Sequence, residues 1–443
     1  MVSRSLFIAR ARVVETLHYS RVLRTLRGLS WWMRSQFPAH PAARLDWLCR
    51  AYQSCEHARM WPWLADRVQH HLKKHGTRAL EWQRAPGAVR YGGILRSQPA
   101  LSRSVVLKAP GANGEKGVIL STFEYNWFRV VADPGRFEAL CAEFHLVLST
   151  SWSPTGYHIL ALAAAQASDT LFVQACNYDE VAKIQAFHPR LRCLETLPCD
   201  WLHPDSYQPR APQDRDIDIV MVSNWAPFKR HWEFFNALRA MPAGLRVVCI
   251  GQPEAGYTLD DIRALQRKLG APQQIDYRQS LPIDQVADLQ SRAKVALILS
   301  RREGCCVAAA EGMMAGAALA MRYDAHVGPR AYVTEDRGAL LHPRHLAAQL
   351  QALIQRSDKT RAREFAVQRL SCFESVRKLN AQLRTHDLAK GRPWTVDVAM
   401  PMWRPHPKLA LEEDRARLAP CYTALHQRWP DLFSADLIHQ SCW

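Results

Sequence analysis

The chain has 443 residues, 48% hydrophobic and 22% charged, which is the composition of a globular protein long enough for two or three domains. Lys and Arg number 58 against 41 acids, a net charge of +17 that favours polyanions, acidic lipid surfaces or phosphorylated substrates and says nothing about fold. No apolar run approaches the ~20 residues that cross a bilayer, arginines interrupt the N-terminus too often for a secretory leader, and the twelve cysteines include no CxxC pair. Cys305 and Cys306 are vicinal and therefore poor disulfide partners, so reduced thiols in a cytoplasmic protein without a zinc site are expected.

Residues 1–95 read as a basic, tryptophan-rich helical extension. Between Met1 and Arg44 the one acid is Glu15. On a helical wheel Tyr19, Val22, Leu23, Leu26 and Leu29 share one face, Arg21, Arg24 and Arg27 share the other, and Trp31 and Trp32 follow. That pattern suits a helix lying on an anionic membrane. It equally suits a helix packed on its own protein with a solvated arginine face, and the two readings stay open.

From about Arg103 the period changes to that of strands, and residues 96–208 read as an α/β domain. Val105–Leu107, Val118–Leu120, Phe144–Leu148 and Leu171–Gln174 are short apolar runs, with a helix ending in Ala161–Ala165 between the last two. Alternating strands and helices predict an open parallel sheet. Ligands of such sheets bind at the carboxyl ends of the strands, here Ser121–Trp127, Ser149–Ser153 and Gln174–Tyr178. Within the first of these lies Glu124, which taken alone reads as a solvated loop acid. Pro204–Pro212 reads as a proline-rich linker.

Residues 209–388 form the second α/β domain. Ile217–Val222 is an apolar strand that runs into Ser223–Arg230 and a helix starting near His231. A loop that carries Lys229 and Arg230 and opens a helix is suited to clamp a pyrophosphate. Leu245–Ile250 is the next strand and ends at Gly251. Asp216 and Asp218 fit a D-x-D metal pattern but open a buried-looking strand, so they read as its lead-in. Val295–Leu299 is followed by SRREGCCVAAAEGMMAGAALAM, Ser300–Met321. This predicts strand, loop, helix and strand, with the helix from near Cys305 to Gly316. Glu303 then lies in the loop and Glu311 about two turns into the helix. The N–H groups of Gly304, Cys305 and Cys306 would face an anion or a row of hydroxyls. His326 and Gly328 follow, then a strand at Gly338–Leu341. The tail, 389–443, carries a Pro/Trp segment and a helix at Tyr422–Trp429.

The Glu303/Glu311 pair, the glycine after the first glutamate and the small-residue helix resemble the motif of retaining GT-B glycosyltransferases of the family 4 type (glycosyl transferases group 1). The resemblance implies two Rossmann-like domains facing across a cleft, with the tail helix at Tyr422–Trp429 returning to the first α/β domain. It also implies that Glu303 lies against the donor sugar and Glu311 on the nucleotide's ribose, that Lys229 serves the diphosphate, and that the nucleotide sits near Gly251 and the Gly328 loop, with His326 in reach. The family's diphosphate arginine falls on Asn224, so Arg230 or the Arg301–Arg302 pair is expected to compensate. Its N-domain histidine is replaced by Phe123–Glu124, so Glu124 is either an acceptor contact or a solvated loop acid. The resemblance covers roughly 100–385 and says little of 1–95.

The expected function is transfer of a sugar, with retention, from a nucleotide-sugar donor to a glycan, glycolipid or other hydroxyl acceptor. No cofactor and no metal are expected. Lys229 and Arg230 with the Gly304–Cys306 amides would neutralise the leaving diphosphate. An anionic membrane's inner face is a further expected partner, and nucleic acid is not. Two alternatives stand beside this: a GT-B epimerase or phosphorylase, and a non-catalytic membrane- or nucleic-acid-binding protein on the same scaffold. Asn224 in place of an arginine favours the latter; an intact Glu303/Glu311 pair opposes it.

Overall fold

A computed structural model describes residues 4–37, 39–55, 57–58, 60–75, 100–404 and 406–442. The boundary expected near residue 95 lies outside these. The chain forms two compact units. One takes the described residues up to Pro198, with Val376–Met402 and those from His406 onward; the other takes Cys199–Ser375 with the short piece at 403–404.

The first unit is built on a five-stranded sheet, β1 (Ser104–Lys108), β2 (Gly117–Thr122), β3 (Phe144–Ser149), β4 (Leu171–Gln174) and β5 (Leu191–Cys193), in that spatial order. β2 to β5 run parallel, with Ile119 opposite Leu146 and Val147 opposite Phe172. β1 pairs antiparallel with β2 because the turn at 109–116 is too short for a crossover. Every residue of β1 to β4 is buried, which is why the strands read as unbroken apolar runs rather than alternating ones. The tail helix spans Glu412–Arg428, longer than Tyr422–Trp429, and contains Pro420. It lies in this unit, where the Tyr422 hydroxyl accepts from the Val106 amide at 2.9 Å.

Four helices precede the sheet: α1 (Arg4–Tyr19), α2 (Arg21–Arg34), α3 (Pro41–Cys55) and α4 (Trp61–His75). α3 and α4 pack onto the sheet's helices. Tyr52 of α3 is fully buried, stacks edge-on against Tyr157 at 4.7 Å, and donates to the Lys183 carbonyl at 2.6 Å. α2 packs on α3 through Gly28, where an added Cβ would lie 2.2 Å from the Cys55 sulfur. This corrects the expectation of a solvated arginine face at one position. Arg24 is on the packed side, 8% exposed and aimed at the Gln53 carbonyl, because Gly28 lies one turn on and draws that face inward. Arg21 and Arg27 remain exposed.

The second unit holds a six-stranded, wholly parallel sheet: β6 (Ile217–Val222), β7 (Val247–Gly251), β8 (Ile275–Gln279), β9 (Ala293–Ile298), β10 (Ala318–Arg322) and β11 (Gly338–Leu341). The order is β11-β10-β9-β6-β7-β8. The chain therefore builds outward from β6 in one direction and from β9 in the other. The β6/β9 junction is the topological switch point, and ligands of such sheets bind outside the carboxyl ends of the strands there. Asp216 and Asp218 sit at the opposite, amino end of β6. They are ion-paired with Arg292 and Lys294, each at 2.7 Å.

Candidate functional site

Two loops leave the switch point at its carboxyl end. The loop after β6, Ser223–Arg230, leads to the helix His231–Leu238; the loop after β9, Leu299–Cys306, leads to the helix Val307–Met314. The helix thus starts two residues later than Cys305. Cys306 adopts a left-handed backbone (φ 52°, ψ 64°), which cannot continue a helix, so the first helical residue is Val307. The other end follows the sequence. Gly316 has φ +92°, and its amide and that of Ala317 return to Met313 and Gly312, closing the helix. Ala309 and Ala310 are fully buried, and an added Cβ on Gly312 would lie 2.5 Å from that of Ala296 on β9. The small residues are what let the helix, and Glu311 with it, sit hard against the sheet.

The two loops meet through Lys229 and Glu303. The lysine ammonium is ion-paired with Oε2 of Glu303, and both side chains are largely buried. Burial lowers the Lys229 pKa, but the charge of Glu303, then Cys306, and the hydrogen bond to Glu303 outweigh it and hold the lysine above its ordinary value. The other carboxylate oxygen, Oε1, is buried without a hydrogen-bond partner, and so is the hydroxyl of Ser300, three residues earlier. Buried polar atoms left unsatisfied cost about 1–3 kcal/mol each. A ligand hydroxyl between these loops would supply what they lack.

Glu311 is 6% exposed, and its Oε1 accepts from the Tyr207 hydroxyl at 3.3 Å. Burial raises its pKa to about 7, with the Tyr207 hydrogen bond working against the rise. Tyr207 was not visible as a site residue, since it lies in the piece that reads as a linker. Its signal is a lone aromatic among prolines. Gly251 ends β7 beside Ser223 and Trp225: a Cβ there would lie 2.4 Å from the Ser223 carbonyl oxygen and 2.7 Å from the Trp225 ring. That ring is buried and donates through Nε1 to the Gln279 side chain at 3.3 Å.

The remaining predicted residues are placed as follows. Asn224 turns its Oδ1 to the Ala226 amide at 3.3 Å and so shapes its own loop. Arg230 is buried and takes part in a chain of ion pairs. It meets Glu233 at 2.8 Å, Glu233 meets Arg322 at 2.6 Å, Arg322 meets Asp324 at 2.8 Å, and Arg301 reaches Asp324 at 3.0 Å. Cys305 is buried, its sulfur accepting from the Cys199 amide at 3.0 Å. Cys306 lies beside Lys229 and Glu303, where burial and then the Glu303 charge push its thiol well up. Gly304 lies between Glu303 and Cys305 and is partly exposed. His326 joins the Glu303 loop through its backbone, its amide donating to the Arg301 carbonyl at 2.7 Å. Gly328 opens the buried turn Gly328–Tyr332.

Glu124 belongs to the first unit, at the carboxyl end of β2. It is 6% exposed, not a solvated loop acid, and accepts from the Ser151 hydroxyl and, at 3.3 Å, from the Ser151 amide. Burial raises its pKa; the Ser151 bonds oppose this and the nearby Glu180 charge adds to it. Phe123, just before it, takes φ +70°, unusual for a bulky side chain. Strain of this kind clusters at functional sites.

No curated protein is similar enough to match the chain. Residues 205–365 match the family described as glycosyl transferases group 1. Among solved structures, the sucrose-phosphate synthase of Thermosynechococcus elongatus superposes with a TM-score of 0.51 at 15% identity, over 61% of this chain and 74% of that one. HepE of Anabaena, solved with UDP and glucose, gives 0.47 at 17% identity over 58% and 76%. The matched segment contains Lys229, Gly251, Glu303, Glu311 and Gly328, the residues around the switch point. The chain has a GT-B fold, and within it residues 205–365 match the glycosyl transferases group 1 family.

Proposed function

We propose that the protein transfers a sugar from a nucleotide-sugar to a hydroxyl of a glycan or lipid-linked acceptor, with retention at the anomeric carbon and without a metal, as a family 4-type enzyme. The observation that carries this reading is the Lys229–Glu303 pair at the β6/β9 switch point, with Glu311 one helical turn beyond the loop. In the reaction the bond from the anomeric carbon to the phosphate oxygen breaks and its electron pair goes to the diphosphate. The acceptor oxygen bonds to the same face, and its proton passes to the leaving phosphate oxygen.

Lys229 is the cation for the diphosphate. When the donor enters, Glu303 exchanges part of its lysine contact for sugar hydroxyls, and its unsatisfied Oε1 gains a donor. Glu311 takes the ribose hydroxyls, and Gly251 lets the end of β7 sit hard against Ser223 and Trp225 beside the nucleotide. Arg230 helps less directly than its position in the sequence suggests: three arginines and two acids in its ion-pair chain leave one positive charge beside the loop. The metal-free reading is supported by Asp216 and Asp218, which are committed to Arg292 and Lys294 at the far end of the sheet. Glu124 is the residue we assign to the acceptor. A cytoplasmic enzyme that works on the inner face of a membrane accords with the basic charge.

A non-catalytic protein on the same scaffold is the second reading, and Asn224, which caps its own loop instead of offering charge, favours it. Calorimetry with UDP and GDP, each with and without EDTA, separates the two. Binding of one nucleotide that ignores EDTA is the expected result. Binding of neither supports the second reading, and binding that EDTA abolishes overturns the metal-free mechanism. Proton NMR of the first-formed product reads retention directly.

A further inference from the structure

α1 contains no buried residue, and among its exposed side chains are Leu6, Val13, Val14 and Leu17. α2 and the residues just after it expose Val22, Leu26, Met33 and Phe37, and all eight side chains are more than half exposed. On α2 the positions 22, 26 and 33 fall on one stripe at helical spacing, while Arg24, Gly28 and Ser35, which are buried, fall on the opposite side. The apolar stripe is therefore the outer face of a helix whose inner face is already satisfied by α3. Exposed Arg21 lies on one flank of the stripe and Arg27 and Arg34 on the other. Residues 1–44 hold eight arginines and a single acid, Glu15.

We propose that α1 and α2 dock on an anionic lipid surface, with this outer stripe seated at the headgroup boundary and the flanking arginines on lipid phosphates. An apolar stripe flanked by long cationic side chains, whose stems run along apolar surface while their heads stay in water, matches the interfacial geometry of a bilayer. A second copy of the chain fits worse, because apposed stripes would bring the exposed Arg21, Arg27 and Arg34 of both copies together. Nucleic acid would engage the arginines and leave the apolar side chains in water. The anchoring behind the stripe is firm: Trp32 packs edge-on against Trp63 of α4 at 5.4 Å, and Arg34 and Arg50 lie over Trp31 at 4.8 and 5.0 Å. This inference stands apart from the transferase reading, because it concerns binding to lipid and not turnover.

The test is co-sedimentation of the full chain with vesicles of phosphatidylcholine alone or with about one-third phosphatidylglycerol, at low salt and at about 0.5 M NaCl, where screening acts within a few ångströms. Three proteins are compared: wild type, the quadruple variant Leu17→Ser, Val22→Ser, Leu26→Ser and Phe37→Ser, and the triple variant Arg10→Glu, Arg21→Glu and Arg27→Glu. Because the substituted side chains are exposed, thermal unfolding of both variants should match wild type. Wild type should bind the anionic vesicles at least about tenfold better than the neutral ones, and high salt should release most of it. Each variant should lose at least about tenfold. Failure of wild type to bind, or equal binding by a folded quadruple variant, overturns the proposal. So does a concentration-dependent dimer that the quadruple variant abolishes, which would make the stripe a self-association surface.

Discussion

The Tyr207 hydroxyl donates to Oε1 of Glu311 across 3.3 Å, and both residues are buried. One neutral donor does not offset the burial of a carboxylate, so the Glu311 pKa rises to about 7. A carboxyl whose pKa is higher folded than unfolded contributes stability that is complete below its unfolded pKa and is lost as pH rises through the folded value. For Glu311 that window runs from the ordinary 4.5 to about 7. Relative to Glu311→Gln, wild type should therefore lose on the order of 3 kcal/mol between the two ends of the window, as urea titrations across it would read. Nucleotide affinity should move the other way, strengthening as Glu311 ionises and can accept ribose hydroxyls. Glu311→Ala should weaken nucleotide binding by roughly 2–4 kcal/mol. An affinity that ignores both pH and the substitution removes Glu311 from the nucleotide site.

Lys229 gives the second prediction. It carries the cation nearest Glu303, and arginine can keep its charge while alanine cannot. Lys229→Ala should lower kcat/KM by at least about 100-fold, the scale of one lost electrostatic contact in a water-poor site. Lys229→Arg should retain a measurable fraction. Activity in EDTA should equal activity without it. A strict requirement for Mg²⁺ or Mn²⁺ would sink the assignment of the diphosphate to Lys229.

The switch-point sheet was legible because its central strands β6, β7, β9 and β10 are mostly buried and read as apolar runs, and because Gly316 marks a helix end that backbone geometry demands. The start of that helix was not, since Cys306 takes a left-handed conformation that a cysteine does not advertise. β5 escaped notice at three residues, one of them exposed. The wheel of α2 separated apolar from basic positions correctly but could not say which side faces protein. Gly28, against Cys55, decides that, and it buries Arg24 while leaving Val22 and Leu26 outside. The loop chemistry was legible as charge type and not as pairing. Nothing in the order of residues 229–233 reveals that Lys229 turns to Glu303 and Arg230 to Glu233.

Gly251 gives a prediction about stability. Alanine there must displace either the Ser223 carbonyl oxygen, 2.4 Å from the new methyl, or the Trp225 ring, 2.7 Å away and tied to Gln279. Overpacking of this kind costs about 1–3 kcal/mol. Gly251→Ala should lower the melting temperature by several degrees and weaken nucleotide binding with it. Gly256→Ala is the control: its surroundings are open, so any cost comes from its left-handed backbone alone and nucleotide binding should hold. An unchanged melting temperature for Gly251→Ala would mean that the β7 end yields more easily than its neighbours suggest.

Glu124 and Glu180 offer a comparison within the first unit, since both are buried carboxylates near the carboxyl end of its sheet. Glu180 is held by the Ser153 and Thr155 hydroxyls, each at 2.7 Å. Glu124 has the hydroxyl and amide of Ser151 and follows the strained Phe123. If Glu124 meets the acceptor, Glu124→Ala should cut transfer by at least about tenfold, the low end for a positioned polar contact. Nucleotide affinity should stay as in wild type, because Lys229 and Glu311 belong to the other unit. Glu180→Gln keeps the shape but replaces one accepting oxygen with an NH2 donor, so one of the two hydroxyls must turn to accept, and the change should alter stability more than transfer. Steady-state kinetics against acceptor concentration, paired with calorimetry on the nucleotide, separates the outcomes. Should Glu124→Ala transfer sugar at the wild-type rate and with the wild-type acceptor KM, the carboxylate is a structural partner of Ser151, and the acceptor contact must be sought at Gln174–Tyr178.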